Sequence, residues 1–251
     1  MANIENETYR YGLVGKDISY SFSKGYFTKK FADLGLEHYS YENFDLRHIG
    51  EFPKLLNQGN DLKGLNVTIP YKEEVIPFLS GLEGAARHIG AVNTIQFQDR
   101  KEVVGHNTDA YGFRNSLEPF LKKHHQAALI LGTGGASKAV AYVFNNLGIA
   151  YRFVSRNPGK GQLGYPEIDG AILEKSTIVV NCTPLGTFPK VDQKPPIPYS
   201  LLTPRHLLYD LIYNPSKTAF LLGGEAQGTA ITNGLRMLEL QAEKAWEIWN
   251  Q

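Results

Sequence analysis

An apolar run, Ala128-Leu129-Ile130-Leu131, leads into Gly132-Thr133-Gly134-Gly135-Ala136-Ser137 and then into apolar residues at Val140, Val143, Phe144 and Leu147. The run is long enough for one buried strand and no more. The later residues fall at the i, i+3, i+4, i+7 spacing of a single helical face. Gly148 supplies the left-handed residue that commonly closes a helix. A second strand, Ala150-Tyr151-Arg152-Phe153-Val154, follows at once, completing a β-α-β unit. Parallel neighbours need such a crossover, so this order points to a parallel sheet within an α/β fold. A glycine turn at the head of the helix also forms a phosphate cradle. Its first glycine turns tightly, its second lets backbone approach a pyrophosphate, and the helix N-terminus supplies N–H donors and a positive dipole. The glycine pattern alone would also fit an ordinary strand-to-helix turn. The second strand favours a dinucleotide.

The end of that second strand names the dinucleotide. Where an NAD enzyme places a carboxylate for the ribose 2′-hydroxyl, this chain reads Ser155-Arg156-Asn157, with Lys160 soon after. No carboxylate stands there to repel a phosphate, and Arg156 can meet one with charge-assisted hydrogen bonds. The expected cofactor is therefore NADP. A solvated surface arginine would explain Arg156 alone. Its place after the second strand tips the balance.

Composition removes several classes of partner. Lys plus Arg number 26 against 25 Asp plus Glu, which leaves no basic footprint for nucleic acid. The single cysteine, Cys182, excludes an intrachain disulfide and a multi-cysteine metal site, and no metal is expected. It sits at a strand end, where a small buried side chain is expected rather than a nucleophile. Met1 to Arg10 is polar and lacks the apolar core of a signal peptide. No run approaches bilayer length, so the expectation is a cytoplasmic protein without a membrane partner.

Upstream of the glycine turn, Tyr11-Gly12-Leu13-Val14-Gly15 reads as a strand. Gly25 to Leu34 reads as a helix with Phe27, Phe31 and Leu34 on one side and Gly35 after it. Leu65-Asn66-Val67-Thr68-Ile69 alternates strictly, with Leu65, Val67 and Ile69 expected on a buried face and Asn66 and Thr68 on a half-solvated one. Downstream, Thr177 to Asn181 and His206 to Tyr213 read as further parallel strands. Leu235, Leu238, Ala242, Ala245 and Trp249 mark the stripe of a closing amphipathic helix.

Short polar motifs lie outside the nucleotide unit: Ser21-Phe22-Ser23, Asn66-Val67-Thr68-Ile69-Pro70-Tyr71-Lys72, Ala91-Val92-Asn93-Thr94 and Asn107-Thr108-Asp109. Each brings hydroxyl, amide or charged groups to the end of an expected strand, where open α/β sheets bind ligands. Together with Asn181-Cys182-Thr183-Pro184-Leu185-Gly186, Tyr209-Asp210-Leu211-Ile212-Tyr213 and Asn233-Gly234-Leu235-Arg236-Met237-Leu238, in this order, they resemble the shikimate/quinate dehydrogenase family from about Tyr11 to Trp249.

The resemblance implies a role for each matching position. Ser21 and Ser23 would hold a substrate carboxylate, while Asn66, Thr68 and Asn93 would bond ring hydroxyls. Lys72 would be the catalytic lysine and Asp109 its partner. Tyr213 and Gln241 would complete the substrate set. On the cofactor side, Gly132, Thr133, Gly134, Gly135 and Ala136 would form the phosphate turn. Ser155, Arg156, Asn157 and Lys160 would meet the 2′-phosphate end. Thr183, Leu211 and Gly234 would lie toward the nicotinamide. Two departures stand out: Lys24-Gly25 follows the paired serines where the family often has proline, and Arg236 stands where a small residue is common.

The implied fold is α/β with two domains, a Rossmann-type NADP-binding domain over 108–233 and a discontinuous α/β substrate domain over 1–107 completed by the helix 234–251. The implied activity is reversible NADPH-dependent reduction of 3-dehydroshikimate to shikimate, by a monomer or homodimer. Two alternatives stay open: an enzyme that also oxidises quinate, and a catalytically silent NADPH-binding regulator. Taken singly, a solvated Lys72, an Asp109 helix cap, capping serines and a helix-edge Gln241 are the commoner fates of such residues. Their joint match favours the enzyme.

Overall fold

The computed structural model describes residues 8–19, 21–56, 61–99 and 102–251, so part of the polar N-terminal stretch lies outside the described residues. The chain divides into two compact units, one of residues 1–108 with 242–251 and the other of residues 109–241.

The first unit runs β1 (Tyr9–Gly15), α1 (Phe22–Asp33), β2 (Tyr39–Asp45), α2 (Phe52–Leu56), β3 (Leu62–Val67), β4 (Gly81–Leu82), α3 (Ala85–Ile89), β5 (Thr94–Asp99) and β6 (Glu102–His106). Its sheet has the order β2-β1-β3-β5-β6-β4. β1 pairs in parallel with β2 and β3, whereas β5 runs antiparallel to both β3 and β6. Alternation along β1 sends Val14 into an apolar layer with Phe52, Leu65, Val67 and Ile95. Tyr11 and Leu13 go to an aromatic layer with Phe27, Phe31, Tyr41 and Trp249. Both faces of this sheet are covered.

The second unit runs α4 (Asp109–Leu117), β7 (Ala127–Leu131), α5 (Gly135–Leu147), β8 (Ala150–Ser155), β9 (Leu163–Gly164), α6 (Gly170–Lys175), β10 (Ile178–Asn181), β11 (Leu207–Asp210), α7 (Ala219–Glu225), β12 (Ala230–Thr232) and most of the first half of α8 (Leu235–Trp249). Its sheet is parallel throughout, in the order β12-β11-β10-β7-β8-β9. Counted from β7, that is 6-5-4-1-2-3, the doubly wound dinucleotide-binding order whose direction of winding reverses between its first and fourth strands. The Rossmann-type expectation holds. The reversal falls between β7 and β10, and the glycine turn leaves the carboxyl end of β7.

Several expectations need correction. Ile69 was expected on the buried face of its strand but is 72% exposed, because β3 stops at Val67 and the chain turns away after the Thr68 N–H bonds the Val14 carbonyl. Asn66 is buried rather than half-solvated, since the aromatic layer covers its face of the sheet. Leu34 is exposed because α1 ends one residue earlier and Gly35 takes the left-handed turn. The last parallel strand ends at Asp210, so Leu211 to Tyr213 form a loop. Leu235 is exposed, and Met237 is buried in its place.

The boundaries between the units also differ. Thr108 belongs to the first unit, because its N–H and hydroxyl are bonded to Asn93. Residues 234–241 belong to the second, where α8 crosses α4 so closely that a Cβ on Gly112 would lie 2.5 Å from the Met237 carbonyl oxygen. Only the later turns of α8 join the first unit, through Ala242, Ala245, Ile248 and Trp249.

Candidate functional site

In the first unit the motifs after β3, before β5 and after β6 form one hydrogen-bonded cluster. The Val67 N–H donates to the Asn93 carbonyl at 2.9 Å, and the Val92 N–H donates to the Lys72 carbonyl at 2.7 Å. Asn107 donates to the Ala91 carbonyl at 2.9 Å, and the Thr108 N–H donates to Asn93 Oδ1 at 2.7 Å. The backbone under Lys72 is thereby fixed to the segment carrying Asn93, and the lysine is half-buried.

The side chains continue the cluster. Tyr41 donates to Asn66 Oδ1 at 2.8 Å, and Asn66 Nδ2 reaches the Asn93 carbonyl and Thr94 Oγ1. Thr94 donates to Asn93 Oδ1, and Asn93 Nδ2 donates to Thr108 Oγ1 at 3.0 Å. Burial holds the Tyr41 hydroxyl well above the ordinary phenol pKa, with the nearby Ser23 pulling the other way. Tyr41 stacks on Phe27 with ring centroids 4.7 Å apart, which holds the ring that carries the hydroxyl. Tyr41, beside Ser23, is thus joined to Asn66 and on to Asn93. Ser21 has a different local duty: it N-caps α1 by accepting from the Lys24 N–H. The Lys24-Gly25 departure therefore leaves the capping turn intact. Asp45 and Asn43 secure the preceding loop through Asp17, Ile18 and the Ile18 carbonyl.

The structure leaves the remaining substrate candidates in the second unit. Asp109 is buried and is the first residue of α4, inside its opening turn rather than capping it from outside. Gln241 is buried near Gly112, and Tyr213 is half-buried in the loop after β11.

The second unit gathers its cofactor candidates at the carboxyl edge of the sheet. Gly132 has φ +104, a conformation that suits glycine, and a Cβ there would lie 3.2 Å from Thr183. At Gly134 a Cβ would meet nothing within 4 Å, so the outer face of the turn is open. Gly135 opens α5, and its N–H and that of Ala136 lie ahead of the helix ladder, which begins with Ser137 and Lys138 donating to the Gly134 carbonyl. Arg156 and Lys160 are exposed after β8, while Ser155 and Asn157 form a tight turn through Ser155 Oγ. An open glycine turn, helix N–H donors and exposed cations with no neighbouring carboxylate in Ser155-Arg156-Asn157 together fit the pyrophosphate and 2′-phosphate of NADP. Arg236 is drawn to Glu239 at 3.1 Å, along its own helix. Among the described residues no cluster of His, Cys, Asp and Glu could hold a metal ion. Cys182 is half-buried rather than fully buried, and burial pushes its thiol far above the range of a nucleophile.

Sequence reasoning missed Tyr41, Thr94 and Asp210. Tyr41 looks like an ordinary strand residue whose partner lies in another strand, and Thr94 stood inside a quoted motif without a role of its own. Asp210 stood inside a quoted motif, but its neighbours give no local hint that it is buried.

Comparison with known proteins adds the following. The shikimate dehydrogenase substrate binding domain matches residues 13–95. A shikimate dehydrogenase (NADP(+)) of Desulforamulus reducens is 36% identical, covering 98% of this chain and 91% of its own. A crystal structure of a shikimate dehydrogenase in complex with NADP+ superposes with a TM-score of 0.86 at 30% identity, covering 96% of this chain and 90% of the other. The Thermus thermophilus shikimate 5-dehydrogenase, solved in complex with NADP(H) and shikimate, superposes with a TM-score of 0.84 at 29% identity, covering 96% and 93%.

Proposed function

We infer, from the premise that this chain belongs to the shikimate dehydrogenase family, that it catalyses the reversible NADPH-dependent reduction of 3-dehydroshikimate to shikimate. The observation that carries this reading is a likeness running through both units rather than through either alone. The protein is an NADP-dependent oxidoreductase acting on a CH–OH group.

Each residue's part follows from its chemistry. When bound, NADPH supplies the hydride. Gly132, Thr133, Gly134, Gly135 and Ala136 receive the pyrophosphate, while Arg156, with Ser155, Asn157 and Lys160, receives the 2′-phosphate. Thr183, Leu211 and Gly234 serve the nicotinamide end. Ser21 and Ser23 hold the carboxylate of the ring acid, and Asn66, Thr68, Asn93, Tyr213 and Gln241 bond its oxygens. As the ketone carbon is reduced, negative charge grows on its oxygen. The Lys72 ammonium stabilises that charge and delivers the proton, with Asp109 as its partner. The buried cluster around Asn93 supports this assignment: it fixes the lysine's backbone and its hydroxyl-binding neighbours on one scaffold.

The test is NADPH absorbance with 3-dehydroshikimate, repeated with NADH and, in reverse, with shikimate and quinate. The expected result is oxidation of NADPH by 3-dehydroshikimate and, in reverse, reduction of NADP+ by shikimate. No turnover in any arm, with NADPH still bound, would favour a silent regulator. Preference for NADH would remove the role given to Arg156, and oxidation of quinate would widen the substrate range.

A further inference from the structure

A buried carboxylate stands at the carboxyl edge of the second unit, outside the roles given above. Asp210 ends β11 and is 0% exposed. Its oxygens accept from neutral donors only: Asn181 Nδ2 and the Ile212 N–H reach Oδ1, each at 3.0 Å, and Thr218 Oγ1 reaches Oδ2 at 2.5 Å. Ionised carboxylates are costly to bury, and a residue needed only for packing would be better apolar or amide.

The origin of the donors indicates what the carboxylate holds. Asn181 ends β10, and its own Oδ1 accepts from the Thr183 N–H at 3.0 Å and the Thr183 hydroxyl at 2.7 Å. The Ile212 N–H follows Leu211, whose carbonyl lies where a Cβ on Gly234 would come within 2.0 Å. The Ile212 carbonyl in turn accepts from the Gly234 N–H at 3.1 Å. Thr218 caps α7. One side chain thus joins the loops after β10 and β11 to the start of α7.

We propose that Asp210 is a positioning residue for the nicotinamide half of NADP(H), holding Thr183, Leu211 and Gly234 in place without itself touching the cofactor. This rests on the nicotinamide role given to those three residues above. Burial pushes the Asp210 carboxyl up to about 6, against the pull of its hydrogen bonds from Thr218, Ile212 and Asn181. The titratable groups that face it are Cys182, beyond β10, and Tyr199, before β11. Burial raises both, so neither carries charge near neutrality. Asp210 is the group of this set that changes charge in mild acid.

The test uses the whole chain and two binding probes, NADPH and adenosine 2′,5′-bisphosphate, which is the phosphate-bearing half of the cofactor without nicotinamide. Asp210→Asn is expected to weaken NADPH binding about tenfold and to leave the bisphosphate within about twofold. As pH drops through about 6, wild-type affinity falls more steeply for NADPH than for the bisphosphate, whose 2′-phosphate titrates in the same range, and the variant loses that difference. Its melting temperature at neutral pH stays at or above the wild-type value, because an amide costs less to bury. If Asp210→Asn does not fold, Thr218→Val removes one donor and is expected to weaken NADPH alone, about threefold. Equal losses for both probes, or unchanged NADPH affinity and pH profile in a folded variant, would overturn the proposal. Because both readouts are binding, a wild-type chain that binds NADPH without turning over 3-dehydroshikimate defeats the activity reading and not this one.

Discussion

Tyr41 illustrates how much can rest on one oxygen. Its hydroxyl donates to the buried Asn66, so removing it takes away the donor to the Asn66 side-chain oxygen. Tyr41→Phe is expected to cost about 1–3 kcal/mol in a melting experiment. Steady-state kinetics should show the KM for shikimate rising about tenfold, with the KM for NADP+ unchanged. Equal changes in both constants would mean general damage. Lys72→Ala has a different signature: kcat falls by about 10²–10⁴-fold while shikimate binding persists. A small loss of kcat would take the proton from this lysine. The residues in these predictions were not equally legible in the sequence. Lys72 lies in a motif that can be read locally. Tyr41 and Asp210 gain their meaning from partners in distant strands, such as Asn181, 29 positions before Asp210. Their environment is a product of the sheet, and no window along the chain contains it.

At the scale of elements, glycines set the approach of loops at the carboxyl edge. A Cβ on Gly234 would fall 2.0 Å from the Leu211 carbonyl oxygen, a backbone atom that cannot rotate away. Gly234→Ala should therefore part the β11 loop from the start of α8 and weaken NADPH binding by about tenfold or more, measured by fluorescence titration. Unchanged affinity would show that this approach is dispensable. The β-α-β unit was legible because its signal is local: a run, a glycine turn and a helical stripe in unbroken order. Element ends were less so. Periodicity carried Ile69, Leu34 and Leu235 onto buried faces, yet β3 and α1 stop before reaching Ile69 and Leu34. The first turns of α8 lie over a different surface from the last. A repeat in the sequence does not say where its partner surface ends.

At the scale of the molecule, burial makes stability depend on pH in opposing ways. His106 in the first unit and His125 in the second are both held below the ordinary 6.5 by burial. Below 6.5 the unfolded chain binds protons that the folded one refuses, so their contribution is present above 6.5 and is lost as pH falls. Asp210 acts the other way. With its carboxyl raised from 3.8 to about 6, the folded chain binds the extra proton, and stability from this group is lost as pH rises through about 6. Calorimetric melting between neutral pH and about pH 5 should therefore show a shallower acid decline in His125→Asn and a steeper one in Asp210→Asn. The reverse order would contradict both assignments. The division into two units was broadly visible in the order of motifs. Its second boundary was not, because the contact of Gly112 with Met237 joins segments far apart in the chain.

The late turns of α8 also bear on the order in which the protein can be made. Trp249 donates to the Ile95 carbonyl at 3.0 Å and lies so close to β3 that a Cβ on Gly64 would fall 2.3 Å from its ring. A growing chain emerges from the ribosome N-terminus first. The first unit begins synthesis earliest, but its aromatic layer stays open until residues 242–249 have been translated, after the whole of 109–241. During that interval Tyr11, Phe27, Phe31 and Tyr41 lack the helix that covers them, whereas the nucleotide-binding unit already has every residue of its sheet. The part of the chain translated first is thus the last to be completed, and the risk of aggregation during synthesis falls on its uncovered aromatic face.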